Sequence, residues 1–237
     1  MPSDASVLSA ATTGLPGLPA AVLWDMDGTL VDTEPHWMAA EQLLVREFGG
    51  IWTDDDSLGV VGAALLDSAA VLKAHGVDLP EGQIVDRLLD EVIDGIRASV
   101  VWQPGVRALL AELQGAGIPC ALVTMSYRRF AEAVLVHAPD GMFSVVVTGD
   151  DVTHGKPHPE AYLRAAAALG VDPAACVAIE DSAPGITAAL ASGARTIGVE
   201  HLVPVEPRPG LSTATSLDGI GLVELCRIVA GEVLDLP

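Results

Sequence analysis

The chain has 237 residues, half of them hydrophobic, with a formal net charge of −20 and lysine only at Lys73 and Lys156. That length allows one large domain or two smaller ones with a substantial core, and the apolar content excludes a disordered chain. So negative a field disfavours nucleic acid and anionic membranes as partners, and no apolar run reaches the ~18 residues of a membrane span.

Residues 1–19 carry no lysine or arginine and no compact apolar segment. They do not read as a signal peptide and are expected to form a loose tail. Cys120, Cys176 and Cys226 are odd in number and lack CxxC spacing. Reduced core thiols in a cytoplasmic protein are the expectation.

The stretch that organises the chain runs from Ala20 to Asp32. Ala21 to Trp24 is an apolar run that breaks abruptly into Asp25, Met26, Asp27 and Gly28, which reads as a buried strand ending at a site. In extended backbone the side chains at i and i+2 share a side, so Asp25 and Asp27 can address one ligand. Gly28 permits a sharp turn behind them. Asp and Gly are also ordinary turn residues, so this stretch alone leaves a plain acidic turn open.

Pro35 interrupts the pattern, and from His36 to about Val101 the periodicity is helical. Ala39, Leu43, Leu44 and Phe48 are expected on one face, then Leu65, Ala69 and Leu72, then Ile84, Leu88, Val92 and Ile96. From Val106 helices and strands alternate. Strands are expected at Pro119–Thr124, Phe143–Thr148, Cys176–Ile179 and, as the last, Arg195–Val199. Helices are expected at Val106–Gln114, Tyr127–Val136, Pro159–Leu169 and Gly185–Ser192, with a closing helix over Leu217–Val233. This alternation predicts an α/β fold, a doubly wound parallel Rossmann-like sheet. The expected domains are a core of residues 20–34 and 103–237 and an all-helical module of residues 35–102 inserted after the first strand.

In such sheets ligands sit beyond the carboxyl ends of the strands. Those ends carry Asp25 and Asp27, then Thr124 with Ser126 nearby, then Lys156 in a Gly-Lys-Pro-His-Pro-Glu loop, then Glu180 and Asp181. Carboxylates, a hydroxyl and a lysine suit phosphoryl transfer. A phosphate ester needs charge neutralisation, an in-line nucleophile and a proton for the leaving oxygen. Asp25, Asp181 and Glu180 can hold Mg²⁺, Lys156 supplies a point charge, and Thr124 with neighbouring backbone N–H groups can cradle phosphate oxygens.

Four segments, Asp25-Met-Asp27-Gly28-Thr29-Leu30, Thr124, Gly155-Lys156-Pro157-x-Pro159-Glu160 and Ile179-Glu180-Asp181-Ser182-x-x-Gly185-Ile186, resemble in order the motifs of the haloacid dehalogenase-like hydrolases. The resemblance covers about Ala20 to Val199, and the inserted module is similar to the helical cap of the branch holding sugar-phosphate phosphatases and β-phosphoglucomutase. It implies Asp25 as nucleophile and Mg²⁺ ligand, and Asp27 as general acid with its backbone carbonyl on the metal. Thr124, Lys156 and the backbone of Met125 would bind phosphate, Asp181 would complete the metal site, and Glu180 matches an accessory metal position. A cap loop around Val61-Gly62 is expected to face the site.

The expected activity is therefore Mg²⁺-dependent hydrolysis of a small phosphorylated metabolite, with a sugar phosphate as the expected class, through an aspartyl-phosphate. One alternative is a phosphomutase of the β-phosphoglucomutase type. That type implies a histidine in the first cap helix where this chain has Trp37, and His36, one position off, points ~100° away. The other is a receiver-like phosphoacceptor module, which would need neither the Asp27-Gly28-Thr29 turn nor the inserted module.

Overall fold

The computed structural model describes residues 17–60 and 65–237. The expected tail up to residue 16 and the Val61-Gly62 loop lie outside the described residues. The rest divides into two compact units. The first comprises the described residues up to Leu30 together with Trp102–Tyr127 and Pro139–Pro237.

Strand β1 (Ala21–Trp24) is the centre of the first unit, with all four side chains buried. It pairs in parallel with β4 (Cys120–Val123) on one side and β6 (Cys176–Glu180) on the other. A strand covered on both faces needs a continuous apolar run rather than alternation, and Ala-Val-Leu-Trp and Cys-Ala-Leu-Val supply it. Beyond β4 lies β5 (Phe143–Val147); beyond β6 lie β7 (Arg195–Val199), β8 (Leu211–Ala214) and β9 (Asp235–Leu236). The order is β5-β4-β1-β6-β7-β8-β9 and every pairing is parallel. The chain order jumps on either side of β1, so the ends of β1, β4 and β6 meet where a doubly wound sheet opens its crevice.

Two expectations fail at the far edge. Arg195–Val199 is not the last strand, and the closing helix is only Leu222–Val229. β8 is a four-residue Leu-Ser-Thr-Ala segment and β9 has two residues. Neither has a periodic signature of its own; each is a strand because the preceding edge offers unpaired backbone groups.

The second unit comprises Val31–Val101 and Arg128–Ala138. It contains β2 (Val31–Asp32), α1 (Glu34–Glu47), α2 (Asp54–Leu58), α3 (Leu65–Ala74) and α4 (Glu81–Ala98). Short β3 (Val101–Trp102) pairs with β2. α4 buries Ile84, Leu88, Val92 and Ile96 as the periodicity predicts. α1 does not follow its predicted face: Ala40, Glu41, Leu44 and Val45 are buried, whereas Leu43 and Phe48 stay over one-third exposed. The cause is Glu41, whose Oε2 accepts the Trp52 indole N–H at 3.1 Å and the Ser57 hydroxyl at 2.7 Å. A buried carboxylate with two donors is tolerated inside, and it turns the helix away from the face that hydropathy alone selects.

The helix of Arg128–Leu135 (α6, following α5 at Val106–Gly115) belongs to this second unit by its contacts. Phe130 is fully buried with its ring edge-on to Trp37 at 5.8 Å. Arg129 bonds Asp86 at 3.1 Å and Asp90 at 2.6 Å. The first unit is completed by α7 (Glu160–Leu169), α8 (Ala183–Ala191) and α9 (Leu222–Val229). Among the described residues no helix is long and apolar enough to cross a membrane.

Leu23 sits at the centre of β1 and packs in the main core with Ala121, Ala165 and Ala178. Leu23→Ala should cost about 2–5 kcal/mol in urea unfolding, whereas Leu202→Ala, at a site 48% exposed, should stay within ~0.5 kcal/mol. Equal losses would mean that β1 is not the centre of the core.

Candidate active site

The loop after β1 is built by two constraints. Asp25 continues the ladder, its N–H donating to the Ile179 carbonyl at 3.0 Å. Gly28 then turns the chain with φ +84°, and a Cβ there would lie 2.2 Å from Asp181 Oδ2. Glycine is needed for both the dihedral and the approach. The turn brings Thr29 round so that its hydroxyl donates to Asp181 Oδ1 at 3.0 Å.

Lys156 lies at the centre of the site. Its ammonium donates to Asp25 Oδ1 at 2.5 Å, Glu180 Oε1 at 2.5 Å and the Val123 carbonyl at 2.9 Å. Those three bonds use every N–H it has. Its side chain is only 6% exposed. Burial works against the charge, but the carboxylates of Asp25 and Glu180 outweigh it and hold the ammonium above its ordinary value.

Glu180, with no exposed surface, is the other anchor. Oε1 accepts from Lys156 and from the Tyr162 hydroxyl at 2.9 Å. Oε2 accepts from the N–H groups of Asp181 and Ser182, both at 3.1 Å, and from the Ser182 hydroxyl at 3.0 Å. The carboxylate lies so close to the first turn of α8 that a Cβ on Gly185 would overlap it at 1.7 Å from Oε1. Ser182 caps the helix, accepting the Gly185 N–H at 3.1 Å.

Asp27 is half-buried and accepts the Ser126 hydroxyl on Oδ2 at 2.7 Å. Thr124 is buried at the end of β4, and its Oγ1 accepts the Ser126 N–H at 3.0 Å. Met125 points its sulfur at the lysine turn, where it accepts the Lys156 N–H at 3.3 Å. The seven residues named from sequence therefore occupy one end of the sheet, at the ends of β1, β4 and β6 and in the turn before α7. Ser126, Thr29 and Tyr162 hold them there. The signal for Tyr162 was weak, an aromatic six residues after Lys156 on an otherwise alanine-rich helix.

Asp25, Glu180 and Asp181 can each offer a carboxylate oxygen within 4.8 Å of the others. Burial, then the Glu180 charge, raises the Asp25 carboxyl well above its ordinary value, with Lys156 opposing. The same two causes lift Asp181 from 3.8 to about 7. Three acids around a single ammonium leave uncompensated negative charge, and a hard divalent cation with a preference for oxygen fits that donor set.

The profile of the haloacid dehalogenase-like hydrolases matches residues 19–193. Hexitol phosphatase B of Escherichia coli K12 is 32% identical over 183 residues, spanning 76% of this chain and 82% of that protein. The bifunctional riboflavin kinase/FMN phosphatase of Arabidopsis thaliana is 33% identical over 196 residues, 81% of this chain but 51% of that protein. The chain thus spans about half of that longer relative. The crystal structure of CbbY from Rhodobacter sphaeroides in complex with phosphate superposes with a TM-score of 0.76 at 27% identity, covering 88% of this chain and 99% of that one.

The Asp181 shift has a sign that can be tested without substrate. A carboxyl whose folded-state pKa is raised stabilises the fold below its unfolded value, and that contribution is lost as the pH climbs through the folded one. The window is 3.8 to about 7. With chelator present, Asp181→Asn should gain on the wild type in urea midpoint as pH rises through this window, since an amide keeps the Thr29 bond and cannot ionise. A constant difference between the two proteins would show that Asp181 carries no buried charge.

Proposed function

The chain belongs to the haloacid dehalogenase-like hydrolases, and from that premise we propose that it is a Mg²⁺-dependent phosphatase of a small phosphomonoester. A sugar phosphate is the favoured substrate class, in line with the hexitol phosphatase among its relatives. The observation that carries the reading is the division of labour between the two aspartates of one turn: Lys156 bonds Asp25, and Ser126 bonds Asp27.

Asp25 is the nucleophile. One carboxylate oxygen is tied to Lys156, which leaves the other to attack phosphorus as the ester P–O bond breaks. Asp27 gives its proton to the departing alkoxide. Ser126 donates to Oδ2 at 2.7 Å and so orients the Asp27 carboxyl. In the second half-reaction water attacks the aspartyl-phosphate, Asp27 takes the water's proton, and inorganic phosphate leaves with Asp25 restored. Thr124 accepts the Ser126 N–H through its oxygen, so its own O–H is left to donate to a phosphate oxygen. Mg²⁺ held by Asp25, Asp181 and the Asp27 carbonyl would neutralise substrate charge that a −20 protein otherwise repels. Glu180, with both oxygens already accepting, acts chiefly by holding Lys156 and the start of α8.

The mutase reading needs a histidine where Trp37 stands, and that indole packs against Phe130. His36 fills the space that Gly95 leaves open, since a Cβ on Gly95 would meet its Nδ1 at 2.5 Å. A packed Trp37 and a His36 lodged against α4 favour hydrolysis over transfer to a second substrate position.

Asp27→Asn should slow alkyl phosphates by roughly 10²–10⁴-fold in single turnover, because a basic alkoxide needs the proton. p-Nitrophenyl phosphate, with a good leaving group, should lose far less in the same step. Equal losses for both would remove Asp27 from the acid role. EDTA should abolish turnover and excess Mg²⁺ restore it; full activity in EDTA would rule out the metal-assisted mechanism. Ser126→Ala should lower kcat for alkyl phosphates by about five- to tenfold, the worth of one orienting hydrogen bond. An unchanged kcat would mean that Asp27 needs no such support.

A further inference from the structure

A second cluster of ligand-type side chains lies on the outer side of the lysine turn and takes no part in the mechanism above. The turn reads Thr153-His154-Gly155-Lys156-Pro157-His158-Pro159-Glu160. It folds so that the rings of His154 and His158 lie 4.7 Å apart between centroids. Glu160 opens α7 beside them. Each of the three can offer one ligand atom, and the three atoms lie within 4.8 Å of one another. Both histidines are exposed, so an ion can reach them from solvent.

The hydrogen bonds prepare this cluster. Glu160 Oε1 accepts the Thr153 N–H at 2.8 Å, and Oε2 accepts the His154 N–H at 2.9 Å. Those bonds, Thr153 first, hold the Glu160 carboxyl down at about 2, so it is ionised. His154 Nδ1 lies 3.1 Å from the same Oε2. An ion can take the proton's place between Nδ1 and Oε2, with the Nδ1 lone pair then turned to the metal. His158 Nδ1 accepts the Glu160 N–H at 3.3 Å, a long bond that a stronger partner can displace.

We infer that His154, His158 and Glu160 together form a surface site for a divalent transition-metal ion of the zinc, nickel or copper type. Two imidazoles and a carboxylate suit those ions, whereas Mg²⁺ prefers an all-oxygen shell. The two sites therefore sort ions by ligand chemistry. Tetrahedral Zn²⁺ holds its ligands at about 2 Å and hence roughly 3.3 Å from one another, within reach of small side-chain rotations here, with a water completing the shell. Lys156 stands midway between the two histidines in sequence, so a bound ion braces the turn that carries it.

The test is calorimetric titration of the full chain with Zn²⁺ in excess Mg²⁺, with Co²⁺ as a spectroscopic substitute. The wild type should bind one equivalent of Zn²⁺, and Co²⁺ should give the visible absorption of a low-coordinate site. His154→Ala and His158→Ala should each weaken binding at least tenfold, and the double variant should lose both the heat and the absorption. Asp181→Asn, altered only at the acidic cluster, should keep them. Far-ultraviolet circular dichroism of the double variant should match the wild type, since both side chains are exposed. No binding by the wild type, undiminished binding by the double variant, or loss of binding in Asp181→Asn alone would each overturn the inference.

Discussion

A buried ammonium between two buried carboxylates is the contact on which this site depends. Lys156 reaches Asp25 at the end of β1, Glu180 at the end of β6 and the Val123 carbonyl at the end of β4. One side chain thus bonds three neighbouring strands of the sheet. Removing a member of such a set strands a charge where water cannot reach it, a far larger penalty than the set's net worth to stability. The arrangement is better understood as fixing geometry than as stabilising the fold. It sets where the Asp25 carboxylate stands before any substrate arrives.

That geometry is possible because the backbone leaves room for it. Gly28 and Gly185 sit where a Cβ would collide with the carboxylates of Asp181 and Glu180 respectively. The close approach lets the N–H groups of Asp181 and Ser182 reach Glu180 at the start of α8, and lets the turn at Gly28 bring the Thr29 hydroxyl to Asp181. Tyr162 adds a hydroxyl to Glu180 and places its ring 5.2 Å from the Lys156 nitrogen, a cation–π contact in a dry setting. Asp25 and Asp181 still keep raised carboxyls, since burial and mutual repulsion exceed what one lysine offsets. A hard divalent cation that prefers oxygen ligands fits that excess charge.

The helical unit shows where sequence patterns mislead. Its longest helix, α4, has a clear apolar periodicity and buries the expected residues. α1 rotates because Glu41 goes inside with Trp52 and Ser57, and a pattern that treats every glutamate as solvent-facing misplaces Leu43 and Phe48. The edge strands β8 and β9 were illegible for a different reason. Their residues carry no alternation, and they are strands only because β7 leaves an edge to be covered.

The sequence by itself determined the central strands, the doubly wound parallel sheet, the family and the seven residues gathered at one end of the sheet. Each of these is encoded locally, in apolar runs, turn residues and reactive groups at fixed offsets. Only the tertiary structure decided how those groups are divided. It gave Lys156 to Asp25 and Glu180, Ser126 to Asp27 and Thr29 to Asp181. It also decided that Glu180 uses both its oxygens within the protein. Hydrogen-bond partners far apart in the chain, such as Thr29 and Asp181 (152 apart) or Ser126 and Asp27 (99 apart), are chosen by the packing of strands, and no local pattern records that choice.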